Sequence, residues 1–217
     1  MIKAMKQKKE KTYINTYEEN RNKIKTGDII LFSGESTFSK TIRLISRSKW
    51  SHVAIVLSVG EPEMKLCFES VAGAGHLEDY FSGELKAGVH VVSLSGKVEG
   101  YHGEVAYRSL NHPVSSEMYA KLLSFRKTHR EKKYDWNPIE MIEAAEDRNL
   151  FENTEDLSAF FCSELVAEAF QEIGLFDHVT PSNEYTPKDF AQLTDLNCDY
   201  KFGEIIELKK EVKQCVK

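Results

Sequence analysis

The stretch Ser51-His52-Val53-Ala54-Ile55-Val56-Leu57 decides the fold class. Residues 53–57 are apolar without interruption, too few to cross a bilayer and of the length of a strand. A strand half-exposed to water would alternate apolar with polar. An unbroken run belongs to a strand buried on both faces, in the middle of a sheet. Such a strand needs neighbours, and the flanking sequence offers them. Upstream, Gly27-Asp28 is a turn signal and Ile29-Ile30-Leu31-Phe32 reads as a second short buried strand. A loop over 33–39 and a short amphipathic helix with Ile42, Leu44 and Ile45 separate the two. Downstream, Gly60-Glu61-Pro62 is a turn and β character resumes over 65–71, so the pair reads as a hairpin.

Gly73-Ala74-Gly75 breaks the chain, and two more β-rich stretches follow at 89–94 and 105–110. After Pro113 the period changes to helical. Ser115 and Ser116 can cap a helix with Met118, Leu122 and Phe125 on one stripe. Asn137-Pro138 suits a second helix start. A third opens near Phe161-Cys162 and carries Leu165, Val166, Ala169, Phe170 and Ile173, with Gly174 placed to end it. Thr186-Pro187-Lys188-Asp189 is a further capped start, and 200–208 reads as a last strand. Strands in the first half and helices in the second predict an α+β fold, an antiparallel sheet packed against helices. The expected organisation is a charged N-terminal extension with a helix over 1–26, one domain over 27–208, and a frayed tail over 209–217.

Across 217 residues, 41% hydrophobic and 11% aromatic content is enough for a core, and the net charge of -5 argues against nucleic acid as a partner. Residues 1–11 run against that average with five lysines and one glutamate, a solvated terminus that leaves a peripheral phosphate or membrane contact open. No apolar stretch follows these charges, so neither a signal peptide nor a transmembrane segment is read, and a cytoplasmic protein is expected. The four cysteines, Cys67, Cys162, Cys198 and Cys215, form no CxxC pair, which suggests neither a zinc site nor a disulfide framework.

Of these, Cys162 has chemical surroundings. At a helix N-terminus, unpaired N–H groups and the dipole favour thiolate, and its own N–H would be free to hold an oxyanion. The plain alternative is a small apolar side chain filling a helix–sheet gap. His52 opens the most apolar strand, where an imidazole can face a helix packed beside it and take a thiol proton. Taken alone it reads better as a satisfied core histidine. Glu69, on the hairpin's second strand, could orient that imidazole, although by itself it is an ordinary strand acid.

Together these residues carry a resemblance. The segments Gly27-Asp28-Ile29-Ile30-Leu31-Phe32, Ser51-His52-Val53-Ala54-Ile55-Val56, Phe68-Glu69-Ser70, Tyr134-Asp135, Phe161-Cys162-Ser163-Glu164-Leu165-Val166 and Thr186-Pro187-Lys188-Asp189-Phe190 resemble, in this order, the permuted branch of the NlpC/P60 superfamily, the papain-like YiiX/YaeF and poxvirus-type group. The resemblance implies a circularly permuted papain-like fold and a cysteine hydrolase. Cys162 would be the nucleophile, His52 the general base and Glu69 the residue that orients it. With no CxxC pair and no HExxH frame, neither a cofactor nor a metal is expected. The substrate would be a peptide, another small amide or an acyl lipid, released to water or to an acceptor. Trp50, Ser51 and Tyr134 are the candidate cleft residues, with Trp50 equally readable as plain core and Tyr134 as structural.

Three other readings compete. Gly34-Glu35-Ser36-Thr37-Phe38-Ser39-Lys40-Thr41 nearly spells a phosphate loop, but Ser39 stands where the second glycine is needed. His76 and Glu78 lie close together without an HExxH frame for a metal hydrolase. A non-catalytic lipid- or protein-binding member of the same fold would keep the core and lose the chemistry. Oligomeric state is not legible.

Overall fold

The structure, a computed structural model, describes residues 11–71, 73, 75–130 and 157–212. Among them, seven strands form one antiparallel sheet in the order β1-β7-β6-β2-β3-β4-β5. The strands are β1 (Tyr13–Asn15), β2 (Ile29–Gly34), β3 (His52–Val59), β4 (Met64–Val71), β5 (Gly88–Ser93), β6 (Gly103–Arg108) and β7 (Ile206–Glu211). The helices are α1 (Tyr17–Asn20, continued by a 3-10 turn over Arg21–Lys23), α2 (Thr37–Ile45), α3 (Leu94–Gly100), α4 (Ser116–His129), α5 (Leu157–Glu172) and α6 (Pro187–Gln192).

The unbroken apolar runs behave as their composition requires. On one face Ile29, Leu31, Val53, Ile55, Leu57, Leu66 and Phe68 pack against Leu122 and Phe125 of α4, Leu165, Val166 and Phe170 of α5, and Phe190 of α6. The alternate residues Ile30, Phe32, Ala54, Val56 and Cys67 face a second layer with Tyr17, Ile24, Leu94, Val98, Tyr107 and Leu208. Each fully buried side chain of this kind stabilises the fold by roughly 1.5–3 kcal/mol relative to exposure, so β2 and β3 are held from both sides. The β3–β4 hairpin closes at Gly60, whose φ of 79° a glycine adopts without cost. Gly27, at φ 91°, makes the expected turn before β2.

Several boundaries differ from the sequence reading. The 33–39 loop shrinks, because β2 runs through Gly34 and α2 begins at Thr37, capped by Ser36, whose hydroxyl accepts from the Ser39 N–H. That leaves no glycine-rich loop to cradle a phosphate. Leu44 faces out, unlike buried Ile42. Helix α3 was not expected; Ser93, assigned no role, caps it through the Gly96 N–H. The last strand starts at Ile206 instead of 200 and continues to Glu211, so residues 209–211 lie within the sheet and not in a tail. β1 pairs with it, which ties the N-terminal segment to the core. The helix expected after Asn137-Pro138 falls outside the described residues.

Helix α5 opens at Leu157, about a turn earlier than Phe161-Cys162. Nothing in Leu157-Ser158-Ala159-Phe160-Phe161 stops a helix, since it holds neither glycine nor proline. This changes the setting of Cys162, which lies in the second turn and not at the terminus.

Candidate active site

The site lies where β3 begins. The register Phe32↔His52 aligns the first residue of β3 with β2, and Glu69↔His90 sets β4 against β5. By strand alternation His52, Glu69 and His90 all sit on the α3 side of the sheet. The Nε2 of His52 is 2.6 Å from Oε2 of Glu69. A side-chain hydrogen bond joins the same ring to Cys162 of α5, for which Nδ1 is the nitrogen left. Phe32 braces the imidazole, the ring centroids being 5.3 Å apart. The structure thus brings Cys162, His52 and Glu69 together from α5, β3 and β4.

Glu69 is fully buried, and burial alone would favour its neutral acid. Three groups reverse this. The Lys97 ammonium, from α3, is 2.5 Å from Oε1, His90 Nε2 is 3.0 Å from the same oxygen, and His52 holds the other. Against the desolvation cost, Lys97 acts most strongly, then His52 and His90, and the carboxyl lies well below its usual range. Lys97 is likewise pushed down by burial and raised on balance by Glu69. For His52, burial favours the neutral ring, but Cys162 and then Glu69 outweigh it and raise the pKa to about 9. The arrangement therefore maintains an imidazolium beside a sulfur and in front of a carboxylate.

The expected source of thiol activation needs correction. A helix dipole acts within its first turn, and N–H groups beyond the first four have intrahelical partners. Cys162 is past both limits, so its N–H is not a free oxyanion donor, and the group that stands beside its sulfur is the His52 ring. Cys162 is fully buried.

The other expected residues fall as follows. Trp50 is buried in the α5-side core, with the Lys49 ammonium 5.0 Å from its ring centroid. The Ser51 hydroxyl accepts from the Gly34 N–H and donates to the Phe32 carbonyl, binding β2 to the start of β3. Tyr134 lies outside the described residues. His90 and Lys97 were missed. The sequence does hold a signal for His90, a polar residue inside the apolar stretch Val89-His90-Val91-Val92; a buried imidazole needs a partner. Nothing local marks Lys97, which depends on where α3 packs.

Cys67 lies beside Glu69, where burial and the neighbouring carboxylate push its thiol well above the usual range. Cys198 is exposed. Among the described residues no group of three or more His, Cys, Asp or Glu side chains is placed to hold a metal ion, and no helix is long and apolar enough to cross a membrane.

No protein-family profile matches the chain, and no curated protein is similar to it in sequence. Among solved structures it is similar to the crystal structure of the metalloprotein YiiX (DUF1105) from Escherichia coli O157:H7, at 19% identity and a TM-score of 0.45, over 87% of this chain and 96% of that one. A likeness at that distance assigns no family.

Proposed function

We propose that this chain is a cysteine hydrolase or acyltransferase of permuted papain-like design. The observation that carries the reading is the His52 ring, bonded at once to the Cys162 thiol and the Glu69 carboxylate. The residues fall in the order histidine, acid, cysteine, whereas in ordinary papain-like chains the cysteine comes first; moving it to the end is what a circular permutation does, and a triad depends on geometry and not on chain order.

In the proposed cycle the Cys162 thiolate attacks an acyl carbon, forming a C–S bond as the carbonyl pair moves onto oxygen. The tetrahedral adduct collapses, its C–N or C–O bond breaks, and the His52 imidazolium gives its proton to the leaving group. Neutral His52 then takes a proton from water or an acceptor, which attacks the thioester and returns the thiolate. Glu69 holds the ring in orientation throughout. The fitting substrates are amides or esters of peptides, small molecules or acyl lipids, and a reducing compartment such as the cytoplasm suits the free thiol.

A thiol-reactive acyl probe at neutral pH, followed by mapping of the adduct, tests this. Labelling should centre on Cys162, with Cys198 reacting as an ordinary exposed thiol and Cys67 not at all until the chain unfolds. Cys162→Ala should abolish turnover and leave the fold intact. Full turnover by that variant would refute the assignment. A second reading, a non-catalytic binding member of this fold, is favoured by the complete burial of Cys162 within α5. It requires that the probe leave Cys162 unmodified in folded protein.

A further inference from the structure

We infer that Lys97 is a positioning residue of this site, acting through Glu69 to balance the charge of the Cys162–His52 pair. The inference rests on the acyl-transfer reading above. Its ground is the division of labour at the carboxylate. Oε2 is reserved for His52 at 2.6 Å, whereas Oε1 receives Lys97 at 2.5 Å and His90 at 3.0 Å. Two donors on one oxygen stop the carboxylate rotating and present the other oxygen to the imidazole.

Charge makes Lys97 more than a tether. The ionisable groups that face Glu69 are His52 from β3, Cys67 from its own strand, His90 from β5, Lys97 from α3 and Tyr101 just after α3, and Cys162 from α5 faces His52. Cys67 and Tyr101 stay protonated, both raised first by burial and then by the Glu69 charge. An N–H on Nε2 suffices for the His90 bond to Glu69. Its Nδ1 lies 3.3 Å from the Lys86 carbonyl oxygen. The reactive form therefore holds two anions, thiolate and Glu69, against two cations, the His52 imidazolium and Lys97. A buried unpaired charge is costly, so a site that lost Lys97 would recover balance by binding a proton. Taken at Glu69, that proton loosens the hold on His52; taken at Cys162, it removes the nucleophile. Either way the reactive form is lost at higher pH than before.

The test uses the full chain and the rate of Cys162 alkylation by iodoacetamide from pH 4 to 10, with adducts mapped. Lys97→Met, and Lys97→Gln, which keeps an N–H donor without charge, should shift the acid limb up by at least about one pH unit, a loss of about tenfold on that limb. Lys97→Arg, which keeps the charge, should restore the wild-type profile. In a Glu69→Gln background, Lys97→Met should shift the limb much less, since the anion it balances is gone; a role confined to packing against Phe32, whose ring centroid is 5.6 Å from the Lys97 ammonium, would not show that coupling. Circular dichroism identifies any variant that has not folded, and whichever of Met and Gln folds decides the matter. Charge-removed variants with the wild-type profile, as would follow if His90 took the proton, overturn the inference while leaving the acyl-transfer reading intact. Wild-type alkylation that does not depend on His52 overturns both.

Discussion

His52 keeps its proton to about pH 9 because Cys162 and Glu69 outweigh the cost of burying the cation. A folded pKa above the unfolded one means the ring adds stability below about pH 6.5, and that this contribution is lost as pH rises through about 9. The same proton serves the leaving group. Turnover limited by acylation should therefore decline above about pH 9, and His52→Ala should cut Cys162 alkylation at pH 7 by about tenfold or more, since a free thiol is only a few per cent ionised there. An alkylation rate at pH 7 unchanged by that substitution would leave the pair without function. Taken one at a time, Cys162 and His52 read as well or better as core residues, and only as a set with Glu69 did the sequence single them out. Glu69 looked ordinary because its burial comes from His90 and Lys97, which approach from β5 and α3.

At the scale of elements, α5 is held on the sheet by aromatic packing. Phe170 is fully buried, its ring 5.8 Å from Phe202, 6.1 Å from Phe190 and 5.3 Å from Phe176. Phe170→Ala should cost about 3–5 kcal/mol, read as a lower urea midpoint at unchanged slope; a loss under about 1 kcal/mol would mean that the helix is anchored elsewhere. The start of α6 was legible from Thr186-Pro187-Lys188-Asp189, and the Asp189 carboxylate indeed accepts from the Thr186 N–H and hydroxyl. The start of α5 was not, because neither glycine nor proline precedes it and Leu157, Phe160 and Phe161 carry the apolar pattern without marking a boundary. Asp28 adds a pH term of its own. It is buried against the Lys25 and Leu110 N–H groups, and desolvation raises its pKa to about 6. Holding it ionised is costly, so stability should rise as pH falls from about 6 to 4, by roughly 3 kcal/mol from this group. Asp28→Asn should lack that component when denaturation midpoints at pH 7 and pH 5 are compared.

Over the whole molecule, β7 supports the site from the far side of the sheet order. Lys209 of β7, among residues read as tail, is buried and donates to the carbonyls of Val98, Glu99 and Tyr101. It thus closes the C-terminal end of α3, the helix that carries Lys97. Lys209→Met would take this donor from the Val98 and Glu99 carbonyls, at about 1–3 kcal/mol each where water cannot reach, whereas the Tyr101 carbonyl still accepts from the Gly103 N–H. The substitution should lower the melting temperature and slow Cys162 alkylation together; reduced stability with an unaltered site would disconnect β7 from the chemistry. The amino-acid sequence by itself determined the α+β class and the two doubly buried strands, because burial pattern and turn chemistry are local properties of the chain; the cysteine and histidine stood out only as a set with Glu69. Strand register, the packing of α3 and the partners of Glu69 were decided only by the tertiary structure. They depend on which residues meet across the sheet, and pairings between distant segments leave no periodic trace in either segment alone.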